Sequence, residues 1–384
     1  MTAPAPFTLR VADEALADLA DRLARTRFPD NSPGAPWAYG TDGGWLRGLL
    51  EYWRDGFDWR AAEARLNALP NYTLAVGGID LHFIHAPGQG PNPVPLLLSH
   101  GWPGSVFEFL DMIPRLTDPA RFGGDPADSF TVVAPSLPGY GLSYRPGQKR
   151  FGIIDIADTF AALMGALGYD RFVAQGGDWG ASITGRLGFA HPDRLLGIHL
   201  NMLPVGRDRK ALNERTSEEA QYAAELDAWL RDETGYQAIQ GTKPDTLAFG
   251  LSDSPAGLAA WIGEKFHKWS DNTGDVFSAI PRDHALANIG LYWFTGAIGS
   301  SFWPYYARLH GERPIPDGET VRVPTGYAAF PREILHPPLS VAERTFTDIR
   351  RWTSMEKGGH FAALEQPEAL AREIATFVRP LRRS

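Results

Sequence analysis

Cysteine is absent from this chain of 384 residues, so the chain can form neither a disulfide nor a thiolate metal site. That absence is typical of proteins in a reducing compartment. The sequence also lacks a block of basic residues, and 37 Lys and Arg residues against 45 Asp and Glu residues give a net charge of −8. Nucleic acid is therefore not an expected partner.

Long apolar runs are missing as well. The first 30 residues contain several acidic side chains and no stretch that would span a bilayer or act as a signal peptide. We therefore expect a cytoplasmic protein without a membrane anchor. With 43% hydrophobic and 21% charged residues, the composition is that of a globular protein with a large core. The oligomeric state stays open, and a homodimer is one option.

The hydrophobic pattern divides the chain into four parts. Strand patterns alternate with helical ones in the second part, stop in the third, where residues 208–231 and 255–270 have helical spacing, and resume in the fourth. This order predicts an α/β fold with a mostly parallel sheet. The parts are an N-terminal helical segment, the first part of the core, a helical lid inserted into the sheet, and the second part of the core: residues 1–70, 71–202, 203–320 and 321–384.

The sequence Gly-Gly-Asp-Trp-Gly at 176–180 lies between an apolar run at 172–174 and a segment with helical spacing. Such an order is typical of the nucleophile elbow of the α/β-hydrolase fold, in which small residues two positions before and after the nucleophile avoid Cβ clashes. Gly176 and Gly180 occupy those two positions, and Asp178 occupies the position of the nucleophile. On these residues alone, a turn in which Asp178 caps the following helix is an equally good interpretation.

An Asp at the elbow changes the chemistry that the site can perform. The chain contains no Gly-x-Ser-x-Gly motif, which disfavours an esterase with a Ser nucleophile. A carboxylate with a pKa of about 3.9 is already ionised at neutral pH and can attack a saturated carbon directly. The product is an ester on the enzyme, which a water activated by a histidine would then hydrolyse.

Asp178, Glu333 and His360 follow the order of nucleophile, acid and histidine in α/β-hydrolases. Each comes just after a predicted strand, where an open parallel sheet gathers its site. We predict that His360, in a Gly-Gly-His-Phe turn, activates the water and that Glu333 orients its imidazole. Asp348 is a competing candidate for the orienting acid, although it lies inside the last predicted strand at 345–352.

The loop His-Gly-Trp-Pro-Gly-Ser at 100–105 follows an apolar run at 94–99. In α/β-hydrolases this loop supplies one backbone N–H of the oxyanion hole, and the residue after the nucleophile supplies the other. We therefore predict Trp102 and Trp179 as the two donors. A cis bond before Pro103 would suit a tight turn here. The alternative interpretation is a plain Gly-Pro loop.

From its N-terminal segment to its last helix, the chain resembles the microsomal-type epoxide hydrolases. The motifs that carry this resemblance are HGWPGS at 100–105, PSLPGYG at 135–141, GGDWG at 176–180, GTKPDT at 241–246, VPTG at 323–326, FPRE at 330–333 and GGHF at 358–361. It implies an epoxide substrate, no cofactor or metal, and two lid tyrosines that protonate the ring oxygen. These would be Tyr236, five residues before Gly241, and Tyr305, with the adjacent Tyr306 as the alternative.

The expected reaction opens an apolar or aromatic epoxide to a vicinal diol through an ester on Asp178, with the epoxide and water as the partners. Two alternatives stay open. A haloalkane dehalogenase also has an Asp nucleophile followed by Trp, but the loop position after His-Gly is Trp102 and not a side-chain amide donor. An inactive hydrolase scaffold that acts as a binding module is the other alternative, and the complete set of Asp178, Glu333 and His360 argues against it.

Overall fold

The structure is a computed structural model that describes residues 3–205, 212 and 216–383. Within these residues one sheet contains the strands β1 (Ala5–Pro6), β2 (Asn71–Val76), β3 (Ile79–Ala86), β4 (Val94–Ser99), β5 (Phe130–Pro135), β6 (Phe172–Gly176), β7 (Leu195–Leu200), β8 (Thr325–Ala329) and β9 (Ile349–Ser354). Their spatial order is β1-β2-β3-β5-β4-β6-β7-β8-β9. The pairs β1-β2, β2-β3 and β3-β5 are antiparallel. The five pairs from β5-β4 to β8-β9 are parallel. The predicted mostly parallel sheet is confirmed.

The α-helices surround this sheet. They are α1 (Asp13–Ala24), α2 (Gly43–Asp55), α3 (Trp59–Asn67), α4 (Ile113–Thr117), α5 (Ile153–Ala166), α6 (Asp178–Ala190), α7 (Ser217–Asp232), α8 (Gly235–Thr242), α9 (Pro244–Asp253), α10 (Pro255–Trp269), α11 (Arg282–Thr295), α12 (Trp303–His310), α13 (Leu339–Ala342), α14 (Ala362–Glu365) and α15 (Pro367–Val378).

The central strands are buried on both faces. Successive side chains of a strand point to opposite faces, and in β4 this places Leu97 in one hydrophobic cluster and Leu96 and Leu98 in another. The first cluster includes residues of α5 and α6, and the second includes residues of α4 and α15. The apolar run of β4 therefore reflects helices on both sides of a parallel sheet.

Helices α7 to α12 lie between β7 and β8 in the chain, and we call residues 217–310 the helical insertion. The N-terminal helices pack against this insertion. A Cβ on Gly290 of α11 would lie 2.8 Å from the ring of Trp59, and Tyr52 Oη donates to Asp283 Oδ1 at 2.7 Å. The aromatic residues near the N-terminus thus serve to hold α2 and α3 on the helical insertion.

Three predicted elements differ from the structure. The last strand is β9 and not residues 345–352, because Thr345 and Phe346 donate to Ala342 O and continue the turn of α13. The sequence also predicts strands at 321–323 and 326–329; the second run lies in β8, whereas Val321 forms only an isolated bridge with Phe346. The helix predicted at 208–231 begins at Ser217 as α7, where Thr216 accepts from Glu219 N; residues 206–211 and 213–215 lie outside the described residues.

Candidate active site

The elbow is a sharp turn between β6 and α6. Asp178 has a φ of 49°, a left-handed value that is uncommon outside glycine and that often marks functional sites. A Cβ on Gly176 would lie 2.2 Å from the backbone of Gly180, and a Cβ on Gly180 would lie 1.9 Å from Ser99 O. The two glycines are therefore required by the close approach of α6 to its own strand and to β4.

Asp178, His360 and Glu333 come together at the carboxyl ends of the parallel strands. His360 Nε2 lies 3.4 Å from Asp178 Oδ2, and His360 Nδ1 lies 2.6 Å from Glu333 Oε1. The side chains of His360 and Glu333 are 2% and 0% exposed, whereas that of Asp178 is 17% exposed. The structure thus buries the pair that would orient a water and leaves the carboxylate accessible. Asp348, the competing acid, pairs with Arg350 instead.

The protonation of His360 is set by its two carboxylate neighbours. Burial alone would lower its pKa, but the charge of Glu333 and the hydrogen bond and charge of Asp178 outweigh that effect and raise the pKa of His360 to about 10. In the free enzyme the imidazole is therefore protonated at neutral pH. Once Asp178 loses its charge, a large part of this stabilisation of the imidazolium disappears.

The predicted oxyanion donors lie next to the carboxylate. Trp102 N donates to Asp178 Oδ1 at 2.7 Å, and Trp179 N belongs to the first turn of α6, where backbone N–H groups have no partner within the helix. The bond between Trp102 and Pro103 is cis. Helix α11 holds this loop, since Asn288 Nδ2 donates to Pro103 O at 2.6 Å and Tyr292 Oη donates to Gly104 O at 2.8 Å.

The two predicted tyrosines belong to the helical insertion and line one cleft with Asp178. Tyr236 of α8 and Tyr305 of α12 are 5% and 3% exposed, and their ring centroids lie 5.7 Å apart. Tyr236 stacks on Trp102, while Tyr305 contacts Trp179 edge to face at 4.8 Å. Burial raises the pKa of Tyr305 well above its usual value, and the charge of Asp178 contributes to this rise. The Tyr305 hydroxyl thus keeps its proton at neutral pH.

Tyr306, the alternative to Tyr305, points elsewhere. Its ring stacks on Trp303 and lies 4.1 Å from the ring of His310. A cleft of about 910 Å³ has Asp178, Tyr236 and Tyr305 in its wall, and Tyr306 is not part of that wall. Adjacent side chains of a helix point in different directions, so Tyr305 lines the cleft with Asp178 and Tyr306 does not.

Comparison with known proteins identifies the family. The family model described as epoxide hydrolase N terminus matches residues 4–109, and the model described as alpha/beta hydrolase fold matches residues 94–270. Epoxide hydrolase 1 of Oryctolagus cuniculus is 38% identical to this chain over 97% of its length and 88% of the length of that protein. The chain belongs to the microsomal-type epoxide hydrolase family.

Two further relatives support this membership. A protein of Stigmatella aurantiaca that is provisionally named an epoxide hydrolase is 44% identical over 98% of this chain and 85% of its own length. The structure of an Aspergillus niger epoxide hydrolase superposes with a TM-score of 0.85 at 30% identity and covers 99% of this chain and 97% of its own. The α/β-hydrolase fold and the assignment as an epoxide hydrolase are thereby confirmed, and the dehalogenase and the inactive scaffold lose their support.

The described residues of the epoxide hydrolase lack two features. In the part of the chain that the structure describes, no group of three or more His, Asp and Glu side chains is arranged to hold a metal ion. Among the described helices, none combines the length and the apolar character that a membrane span requires.

Sequence reasoning missed several residues that shape this site. Trp269, at the end of α10, lies 5.1 Å from the ring of His360 and accepts from His360 N at 2.9 Å through its carbonyl. Glu365 accepts from the backbone of Asp271, Gly359 and Phe361, which ties the loop of His360 to the segment after α10. No local pattern indicated these contacts, because they join segments about 90 residues apart in the chain.

Proposed function

We propose that this epoxide hydrolase opens an epoxide by attack of Asp178 on a ring carbon. The observation that carries the proposal is one accessible carboxylate that lies 3.4 Å from a buried imidazole and lines the same cleft as two buried phenols. Attack forms a bond from an Asp178 oxygen to carbon and breaks the ring C–O bond. The alkoxide so formed is a poor leaving group unless it receives a proton.

Tyr236 and Tyr305 would supply that proton. Both line the cleft together with Asp178, and both belong to the helical insertion. Two hydroxyls can hold the ring oxygen before attack and share the developing negative charge, which lowers the barrier more than either one would alone. Residues 203–320 would accordingly form the lid, residues 1–70 a segment that wraps it, and residues 71–202 and 321–384 the hydrolase core.

His360 and Glu333 would serve the second step, the hydrolysis of the ester. Formation of the ester removes the charge of Asp178, and the pKa of His360, which Asp178 helped to raise, falls as a consequence. The imidazole can then lose its proton and accept one from water. Trp102 N and Trp179 N would stabilise the oxyanion that forms when this water attacks Cγ of Asp178.

An apolar or aromatic epoxide fits this site best. The cleft wall that includes Asp178 also contains the indole of Trp179 and the rings of Tyr236 and Tyr305, together with charged residues such as Arg308 and Glu312. Aromatic walls favour flat apolar groups through burial and offset or edge-to-face ring contacts. We therefore expect styrene oxide and similar aryl epoxides to be better substrates than small polar ones.

Trapping of the ester tests the mechanism. We expect His360→Gln to undergo alkylation by styrene oxide and to accumulate a covalent adduct, because only hydrolysis needs the imidazole. Intact mass spectrometry should show one added epoxide mass, and peptide mapping should locate it on the peptide with Asp178. The double variant with Asp178→Ala is the control and should show no adduct. The absence of an adduct in His360→Gln, or an adduct on another peptide, would refute the proposed mechanism.

A further inference from the structure

A small cavity adjoins the carboxylate and the imidazole of the active site. It measures about 20 Å³, and its wall includes Asp178, His360, Glu108, Gln175 and Ser99. A cavity of at least ~10–15 Å³ can hold one water, provided that about two to four polar groups surround it. The size and the polar wall of this cavity therefore suit a single water.

Two polar atoms of residues in this wall are buried and have no hydrogen-bond partner among the residues that the structure describes. They are Gln175 Oε1 and Ser99 Oγ. The other end of the Gln175 amide is already used, since its Nε2 donates to Asn201 Oδ1 at 2.7 Å. Buried polar atoms in native proteins are nearly always hydrogen-bonded to protein or to ordered water, and water is the partner that this cavity offers them.

Glu108 is an acidic residue of the same wall to which the mechanism above gives no role. It lies in the 3₁₀ turn Val106–Phe109, just after the loop of Trp102. Its Oε1 packs directly over Gly104, where a Cβ would come within 1.3 Å of that oxygen, and the backbone of Ser105 hydrogen-bonds its carboxyl group. The carboxyl is therefore held in one place.

The charge of this carboxyl is also suited to its position. Burial raises the pKa of Glu108 to about 8, and the charge of Asp178 adds to that rise. At neutral pH the group is mostly uncharged, so it can accept a hydrogen bond through its carbonyl oxygen without placing a second negative charge beside the oxyanion of the hydrolysis step.

We propose that this cavity holds the water that hydrolyses the ester and that Glu108 is the residue that positions it. The proposal rests on the proposed function, since it concerns its second step. In the free enzyme, where His360 is protonated, the two protons of the water serve Gln175 Oε1 and Glu108, and Ser99 Oγ donates to the water oxygen. Once the ester has formed and His360 is neutral, the first proton turns to His360 Nε2, which accepts it, while Glu108 keeps the hydrogen bond from the second. The water oxygen bonds to Cγ of Asp178, the bond from Cγ to the alkyl oxygen breaks, and the imidazolium protonates that oxygen. The carboxylic acid formed on Asp178 returns its proton to the tyrosine that ring opening left ionised.

The variant Glu108→Gln tests this role. The Gln carbonyl can satisfy the backbone of Ser105, but the amide then presents N–H groups to the cavity, where the water needs an acceptor. We expect ester hydrolysis to slow by about 10- to 100-fold, less than the ~10²- to 10⁴-fold of full general acid–base catalysis. Alkylation should keep its rate within about twofold, since it needs no water. Rapid-quench mass spectrometry of single turnovers with styrene oxide measures both rate constants, and the ester should accumulate.

A matched control is Glu63→Gln, the same change at a buried carboxyl of α3 outside the active site, where Glu63 is 3% exposed. Both rate constants should stay at the wild-type values there. The amplitude of the alkylation phase counts folded enzyme, so a partly unfolded sample of Glu108→Gln lowers the amplitude and leaves the rate constants interpretable. If the Gln variant does not fold, Glu108→Asp, whose shorter side chain withdraws the carboxyl, should also slow hydrolysis selectively.

Each outcome is decisive. Selective slowing of hydrolysis supports the water site. Equal slowing of both steps would assign Glu108 a structural role, and unchanged rates would remove it from the mechanism; both results overturn the inference. If neither the wild type nor His360→Gln forms an ester on Asp178, the proposed function fails instead, and the two failures are thereby distinguished.

Discussion

The two halves of this active site are held in place by different kinds of interaction. The core half consists of Asp178, Glu333 and His360, which are charged and linked by hydrogen bonds and close contacts of 2.6 to 3.4 Å. The half that the helical insertion contributes consists of the buried Tyr236, which stacks on Trp102, and the buried Tyr305, which contacts Trp179 edge to face. Charge fixes the first half, and apolar packing fixes the second.

This difference matches the demands of the two halves of the reaction. In the proposed mechanism Asp178 loses its charge when the ester forms, and that charge helps to raise the pKa of His360. A proton donor to an alkoxide must instead stay protonated until the ring opens, and burial ensures this by raising the pKa of Tyr305. The comparison can be tested from each side.

The largest effect should come from the insertion half. We expect Tyr236→Phe and Tyr305→Phe each to slow ring opening by about 100- to 10,000-fold, because the phenyl ring keeps the packing but cannot protonate the alkoxide. The hydrolysis of an ester already formed should keep its rate. Stopped-flow fluorescence can follow the alkylation phase, since Trp102 and Trp179 lie against the two rings.

The adjacent Tyr306 provides the control, because it stacks on Trp303 outside the cleft wall. Tyr306→Phe should open the ring at the wild-type rate. A wild-type rate in Tyr236→Phe or Tyr305→Phe would remove that tyrosine from the proposed donor pair.

A smaller effect should follow from a displacement of Asp178, the proposed nucleophile, in the core half. A Cβ at residue 101 would lie 2.2 Å from Asp178 Oδ1, so Gly101→Ala must displace the carboxylate. We expect about a 100-fold loss in alkylation rate, the usual result of a misplacement of roughly 1 Å. Gly48→Ala in α2 is the control, since no atom lies within 4 Å of its added Cβ. Equal rates in the two variants would contradict the positions of Asp178 and the 100–105 loop.

The smallest effect should be a change of the free energy of unfolding with pH, which we expect from His360 of the core half and not from Tyr305 of the insertion half. The pKa of His360 is raised by folding to about 10, so its stabilising contribution is complete below its unfolded value of about 6.5 and is lost as the pH rises through 10. Folding raises the pKa of Glu108 to about 8 and that of Glu365 to about 7, so the free energy of unfolding also falls as the pH rises from their unfolded values to these values. Above them, these two carboxyls no longer contribute to the slope.

Urea unfolding between about pH 9 and pH 10, above the pKa values of Glu108 and Glu365, therefore reports mainly on His360. The free energy of unfolding of the wild type should fall over this interval, and the slope should flatten in His360→Gln even though that variant is less stable throughout. Tyr305→Phe should keep the wild-type slope, because the raised pKa of Tyr305 acts only at higher pH. An unchanged slope in His360→Gln would mean that its imidazole is not the group that titrates.

The core half was predictable from the sequence because its information is local. The glycines at 176 and 180 mark the elbow, and Glu333 and His360 each follow a strand of a parallel sheet, whose carboxyl ends must meet at one edge. The errors were in element bounds. Residues 345–346 were predicted as strand because Thr and Phe favour strands, whereas their backbone N–H groups donate to Ala342 O after α13.

The insertion half was not predictable from pattern alone. Tyr305 and Tyr306 are neighbours on one helix. Which of the two rings lines the cleft with Asp178 depends on how α12 packs on the core, and the prediction of Tyr305 came from the resemblance to a family. The sequence indicates even less about Glu108, since nothing in Val-Phe-Glu-Phe shows that this residue lines a cavity next to Asp178. Such positions depend on contacts between distant segments, which hydrophobic periodicity does not encode.

The central claim is that Asp178 forms the bond to the substrate, and isotope transfer in one turnover tests it most directly. Enzyme in excess over styrene oxide would react in H₂¹⁸O, followed by mass spectrometry of the diol and of the peptide with Asp178. Because water attacks Cγ, the account predicts an unlabelled diol and a peptide heavier by one ¹⁸O. A labelled diol with an unlabelled peptide would show that water attacks the epoxide directly, and would contradict the role of Asp178.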